Sequence, residues 1–223
     1  PFDAPLPSWQ SGDLAQVLVP GDPRPREYSI SSIPADGRVH LLVRQHRHED
    51  GTSGVASGWL ISQAALGARV TMRLRAHRRF QLGENAERPL ILIGNGTGIA
   101  GLRGHLKTRV ANGAMPNWLI FGERNAASDF HYRTEIEAWQ SASVLERVDL
   151  AFSRDQQERL YVQHRLLEAG DTLRAWIERD AAIYVCGSLK GMAEGVDQTL
   201  AQLLGRDSLE ALSLAGRYRR DVY

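Results

Sequence analysis

Four branched apolar residues, Leu90-Ile91-Leu92-Ile93, run directly into Gly94-Asn95-Gly96-Thr97-Gly98-Ile99-Ala100-Gly101. A strand that breaks into glycines and resumes as a helix limits the fold more than any other stretch of this chain. Glycines let the backbone approach an anion closely, and the helix N-terminus adds unpaired N–H groups and a partial positive charge. Gly96, Gly98 and Gly101 satisfy the G-x-G-x-x-G spacing of dinucleotide sites. Taken alone, the segment is also compatible with a tight strand-to-helix turn that holds no ligand. The acidic ribose reader of an NAD site, expected about 20 residues further on, has only Glu123 to fill it, and Arg124 beside that carboxylate makes a poor fit.

The surrounding pattern supports a sheet. Beyond Arg88-Pro89, strand candidates at 90–93, 118–121, 148–152 and 183–186 alternate with helix candidates at 102–110, 132–139, 161–167 and 192–204. Such alternation predicts a doubly wound parallel sheet with helices on both faces. Upstream, the apolar runs at 28–33, 39–43 and 70–74 are short and separated by turn residues, with a helix-like segment at 58–63, which predicts a small β-rich lobe. Residues 1–25, with Pro5, Pro7, Pro20, Pro23 and Pro25, read as a connector in which only 14–19 is ordered. The expected organisation is α/β, with a β-rich lobe over 1–86 and a parallel-sheet domain over 87–223.

Charge and cysteine content narrow the function. The 27 Lys and Arg against 26 Asp and Glu give a net charge of +1, without the basic excess of a nucleic-acid surface. The single cysteine, Cys186, cannot close an intramolecular disulfide, which fits a reducing cytoplasm. No apolar run is long enough to span a bilayer. The surround of a serine-hydrolase elbow, the H-E-x-x-H zinc motif and a P-loop lysine are all missing. His46-Arg47-His48-Glu49-Asp50 has no complementary cluster to complete a metal site.

Several short segments suit anionic, planar ligands. Ser153-Arg154-Asp155-Gln156 follows a strand, at the edge of a parallel sheet where ligands bind, and Arg159 and Tyr161 come next. A guanidinium fork, a hydroxyl and an aromatic ring match a 2′-phosphorylated adenosine, although a charged, solvated loop is the plain alternative. Arg26-Glu27-Tyr28-Ser29 combines a cation, a ring and a hydroxyl, and Gly54-Val55-Ala56-Ser57 offers backbone N–H groups to a second phosphate. Cys186 ends a strand at the same sheet edge, as inert packing or as part of a site.

In this order and spacing, together with Phe121-Gly122-Glu123-Arg124, Tyr161-Val162-Gln163, Ile183-Tyr184-Val185-Cys186-Gly187 and Arg217-Tyr218-Arg219-Arg220-Asp221-Val222-Tyr223, the segments resemble the ferredoxin-NADP⁺ reductase superfamily. The resemblance is to its diflavin branch, which includes cytochrome P450 reductase and the sulfite reductase flavoprotein, and it runs from about Arg26 to Tyr223. It implies a small antiparallel β-barrel FAD lobe followed by an NADP-binding domain. Arg26 would hold the FAD pyrophosphate together with the backbone of Gly54, Val55, Ala56 and Ser57. Tyr28 and Tyr223 would cover the two flavin faces, and Ser29 would stand near N5. Gly96, Thr97 and Gly98 would face the NADPH pyrophosphate, while Ser153, Arg154, Arg159, Tyr161 and Gln163 would bind its 2′-phosphate end. Cys186 and Asp221 would complete the hydride-transfer site with Ser29 and Tyr223. The implied partner is an FMN or flavodoxin-like domain or protein.

Four departures from the family pattern stand out. Gly101 replaces a usual proline, which loosens the helix entry, and Ser188 replaces an acidic residue. Arg159 replaces a lysine, and no aromatic residue stands at Gln45 or His46. Fewer residues precede Arg26 than the family barrel uses, so the barrel is expected to be reduced or truncated at its N-terminus. A non-catalytic NADPH-binding or sensing module, and a free ferredoxin or flavin reductase, are the competing readings.

Overall fold

The computed structural model describes residues 7–113 and 116–223. A first, antiparallel sheet is built from β1 (Leu14–Val19), β2 (Asp22–Ser29) and β3 (Thr71–Arg75) in the order β2-β1-β3. The helix α1 (Val55–Ser62) lies between β2 and β3 in the chain. The expected connector is therefore largely a hairpin, apart from its first six residues, which lie outside the described ones. Pro23 and Pro25 sit in β2, a strand bonded on one side only, beside a break in register between Val17 and Val19. An edge strand tolerates proline because its outer N–H groups have no ladder to serve.

The run at 39–43 forms no regular strand. Its one pairing is the bridge Ile30–Leu41. Its apolar character comes from packing: Val39 and Leu41 lie against Trp9, Ala15 and Ile30.

The second sheet follows the expected alternation. Its elements are β4 (Leu90–Asn95), α2 (Ile99–Asn112), β5 (Asn117–Glu123), α3 (Ala126–Asp129), α4 (Arg133–Ser141) and β6 (Leu145–Phe152). They continue with α5 (Val162–Glu168), α6 (Gly170–Glu178), β7 (Ala182–Gly187), α7 (Glu194–Leu204), α8 (Arg206–Leu214) and β8 (Tyr218–Val222). All five strands are parallel, in the order β6-β5-β4-β7-β8. The chain moves outward from β4 through β5 and β6, then crosses back to β7 on the other side of β4. Between β4 and its neighbours the direction of winding reverses, which opens a crevice at the strands' C-terminal ends.

Two cores flank this sheet. Ile91, Ile93, Trp118, Ile120, Ile183 and Val185 point to the face covered by α5 to α8. Leu90, Leu92, Leu119, Phe121, Tyr184 and Cys186 point to the face covered by α2 and α4. Covering on both faces is why β4 reads as an unbroken apolar run instead of an alternating one. Phe80 and Leu82, from the segment after β3, join the second core and bind the two sheets together. No helix among the described residues is long and apolar enough to cross a membrane.

Candidate functional site

Two cavities open at the C-terminal edge of the parallel sheet. The first holds about 600 Å³ and is floored by Asn95 at the end of β4 and Gly96 just after it, Glu123 at the end of β5, Ser153 after β6 and Ser188 after β7. Its rim carries Arg154, Arg159, Tyr161 and Gln163. Backbone bonds hold the phosphate-binding candidates in place: Ser153 N donates to Glu123 O at 2.9 Å and Arg154 N to Arg124 O at 2.8 Å. Gln163 Oε1 is buried without a hydrogen-bond partner among the described residues, so the wall keeps an unused acceptor. Gly96 has φ +57°, a left-handed conformation that a side chain disfavours.

The second cavity holds about 730 Å³ and lies between the two sheets. Arg26, Tyr28 and Ser29 of β2 form one wall, and Thr97, Ala100, Asp221 and Tyr223 form the opposite one. Gly54, Val55, Ala56 and Ser57, where α1 begins, close one end. Gly54 gives that helix no side-chain cap, so its first N–H groups are available to an anion. Ser57 Oγ accepts a 3.0 Å bond from His46 N, which pins the loop against the helix start. Arg26 is half-exposed and donates to Arg24 O at 2.6 Å and to Asp22 Oδ2 at 3.3 Å.

Four polar side chains from separate elements converge at the wall of this cavity and just behind it. Ser29 Oγ donates to Asp221 Oδ2 at 3.0 Å, Cys186 Sγ lies 3.8 Å from that oxygen, and His77 Nδ1 lies 3.9 Å from Asp221 Oδ1. Burial raises the Asp221 carboxyl above its ordinary range, against the opposing pull of His77 and Ser29. Burial, helped by Asp221, also pushes the Cys186 thiol well up. Cys186 is fully buried and lines neither cavity, so it acts on the wall only through its neighbours.

Gly98 also lines neither cavity. A Cβ there would stand 2.1 Å from Cys186 O, so glycine permits the close approach of the β4 turn to β7. Gly101 serves the same packing. Its Cβ position lies 3.3 Å from Cys186 Sγ and from the Phe80 ring, and 3.5 Å from Ser29 Cβ. This glycine lets α2 pack closely against Cys186 and Ser29.

Tyr223 is anchored by its backbone, and the residue as a whole is 59% exposed. Its N donates to Gly187 O at 3.1 Å, its O accepts from Leu189 N at 2.9 Å, and its hydroxyl shares a 3.0 Å bond with Thr97 Oγ1.

The structure adds residues that sequence reading passed over. Arg44 lines both cavities and pairs with Glu123. His46 and His48, considered in the sequence as metal ligands, line the second cavity with their rings 4.7 Å apart. His77 faces Asp221, and Asn95 Oδ1 accepts from Ser188 N at 2.9 Å. Charged or polar residues in short irregular segments give no periodic signal. Arg44 and His77 look like surface residues until the second sheet is placed against them.

Comparisons with known proteins identify the family of the chain. The family model of the oxidoreductase NAD-binding domain matches residues 92–198. The chain is 39% identical to the sulfite reductase [NADPH] flavoprotein alpha-component of Yersinia enterocolitica, over 89% of this chain and 36% of that protein. It is 40% identical to the Vibrio cholerae protein of the same name, over 89% of this chain and 35% of the other. The Mannheimia succiniciproducens counterpart is 36% identical over 100% of this chain and 39% of its own. The chain thus spans little more than a third of the length of these relatives.

Proposed function

Because the chain belongs to the ferredoxin-NADP⁺ reductase superfamily, with the sulfite reductase flavoproteins among its relatives, we propose that it is an NADPH-dependent flavoprotein reductase module. The 730 Å³ cavity between the sheets would hold FAD, and the 600 Å³ cavity at the sheet edge would hold NADPH. The observation that carries this reading is the meeting of the two cavities around Gly96 and Thr97, with Ser29, Cys186 and Asp221 gathered behind them.

When bound, the two groups supply hydride transfer from nicotinamide C4 to flavin N5, followed by one-electron release. The chain's own residues bind, align and shield. Arg26 and the start of α1 hold one pyrophosphate, and Tyr28 offers a half-buried ring to the flavin. Ser153, Arg154, Arg159, Tyr161 and Gln163 select the 2′-phosphate through charge-assisted bonds. Gly96 and Thr97 lie along the second pyrophosphate, and Gly98 holds that turn against β7. Ser29 and Asp221 fix the corner where the reacting atoms meet, with Cys186 excluding water behind them. Tyr223, anchored by its backbone, swings its ring aside to admit the nicotinamide.

The acceptor of those electrons would be an FMN or flavodoxin-like domain, or another redox partner, as in a sulfite-reductase-like system. Anaerobic titration of the FAD-supplemented protein with NADPH and, separately, with NADH tests the reading. Bleaching of the flavin band at much lower NADPH than NADH is expected. Flavin that binds but does not bleach would reduce the chain to a nucleotide-binding module, and failure to bind flavin would overturn the reading.

A further inference from the structure

Glu123 ends β5 in the floor of the sheet-edge cavity, with its side chain only 3% exposed. A carboxylate there faces the phosphates that Gly96 and Arg154 are placed to receive. Its neutralising partner comes from the other lobe: Arg44 Nη2 pairs with Glu123 Oε1 across 79 residues of sequence. The guanidinium lies at the glycine turn itself, its Nη1 3.2 Å from where a Cβ on Gly96 would stand. Glu123 Oε2 also accepts from the backbone N–H of Arg124 at 2.8 Å. His131 Nε2 approaches Glu123 Oε1 at 3.8 Å, but burial and the nearby Arg44 hold that ring below the usual histidine range, so it adds little positive charge.

We propose that Arg44 is a positioning residue that masks Glu123, so that the floor of the nucleotide cavity accepts a pyrophosphate only while the flavin lobe's arginine is seated on that carboxylate. The inference rests on the reading of the sheet-edge cavity as an NADPH site. It departs from a simple phosphate contact, in which the arginine would act on the ligand directly and Glu123 would be irrelevant. Under masking, removing Arg44 leaves a buried anion facing an incoming anion, and removing both charges restores the floor.

The test is calorimetric binding of NADP⁺ and of adenosine 2′-monophosphate to the FAD-supplemented protein and its Arg44→Gln, Glu123→Gln and double variants. Arg44→Gln is expected to weaken NADP⁺ about tenfold, and the double variant to recover to within about threefold of the unaltered protein. Glu123→Gln alone should match or exceed the unaltered affinity. Adenosine 2′-monophosphate has no phosphate at the Gly96 end, so its affinity should move by less than about threefold throughout. Arg44→Lys keeps the positive charge and should bind NADP⁺ within about threefold of the unaltered protein, which guards against a folding defect in the glutamine variant.

A double variant as weak as Arg44→Gln, or an Arg44→Gln protein that binds normally, would overturn masking while leaving the NADPH reading intact. An unaltered protein that binds neither ligand would overturn both.

Discussion

Ser29 and Asp221 lie 192 residues apart in sequence, yet Ser29 Oγ donates to Asp221 Oδ2 at 3.0 Å. The bond joins the last residue of β2, in the antiparallel sheet, to β8 at the edge of the parallel sheet. It therefore sets how the two cavities face each other, and Cys186 packs against the same carboxylate oxygen at 3.8 Å. A polar tie at that junction aligns groups instead of stabilising the fold by much, since a single net hydrogen bond contributes about 1 kcal/mol.

Replacing Asp221 by Asn, or Ser29 by Ala, is expected to slow flavin reduction by about 10²-fold, because small misplacements of reacting groups cost that much. FAD content should stay close to normal, since the main flavin-binding candidates are elsewhere on β2 and α1. Anaerobic stopped-flow absorbance measures the rate. Unchanged reduction in both variants would remove these two residues from the reaction corner.

Nucleotide preference is expected to rest on Ser153, Arg154 and Arg159. All three line the sheet-edge cavity, and the Ser153–Arg154 backbone is fixed by the ends of β5. Arg154→Ala should raise the KM for NADPH by about 10- to 100-fold, the loss of one charge-assisted bond to a phosphate. The KM for NADH should barely move, because that nucleotide lacks the 2′-phosphate. Steady-state kinetics with both nucleotides decides the matter, and an equal effect on the two would place Arg154 elsewhere on the ligand.

The parallel sheet was legible because β4, β5 and β7 are covered on both faces and so carry unbroken apolar runs. β8 was not read as a strand. Tyr218-Arg219-Arg220-Asp221-Val222 lies at the sheet edge, where charge protects against further pairing and erases the apolar signal. β2 was lost to its prolines for the related reason that an edge strand accepts them. α6 and α8 were passed over although each carries an apolar stripe, Leu173 and Trp176 in one and Leu209 and Leu212 in the other, because both are short and interspersed with charged residues.

At the site, motif residues on strand ends were visible because turn glycines and clustered polar groups mark them. Arg44 and His77 were not, because each acquires meaning only from a residue far away in sequence, Glu123 for one and Asp221 for the other. Gly98 shows a further limit: it belongs to the dinucleotide spacing, yet its demand for a missing side chain comes from Cys186 O.

That demand is testable. Gly98→Ala should cost about 3 kcal/mol or more, because the new methyl group meets a backbone carbonyl that cannot rotate away. Gly98 itself sits at φ −58°, a helical conformation that alanine adopts freely, so backbone strain does not enter there; Gly51, at φ +83° with nothing within 4 Å of its Cβ position, shows the size of a purely conformational penalty. Gly51→Ala should cost only about 1–2 kcal/mol. Urea denaturation measures both, and a Gly98→Ala loss below about 1 kcal/mol would show that contact with Cys186 O is not what requires glycine at position 98.

His105 gives the fold a dependence on pH separate from the reaction. Its ring is fully buried on α2, with centroids 5.0 Å from Phe80 and 4.9 Å from Tyr184, and burial pushes its pKa from 6.5 down to about 3. The folded protein keeps this imidazole neutral, whereas the unfolded chain binds a proton once the pH falls below about 6.5. The native state is therefore fully favoured by this group above that pH and loses support as the pH falls toward 3, at about 1.4 kcal/mol per unit. Between pH 7.5 and 5 the protein should lose about 2 kcal/mol from this source. His105→Phe removes the titration while preserving an aromatic ring, so its urea stability should fall by about 2 kcal/mol less over the same interval. Parallel stability curves for the two proteins would mean that the ring finds a proton-holding partner in the folded state.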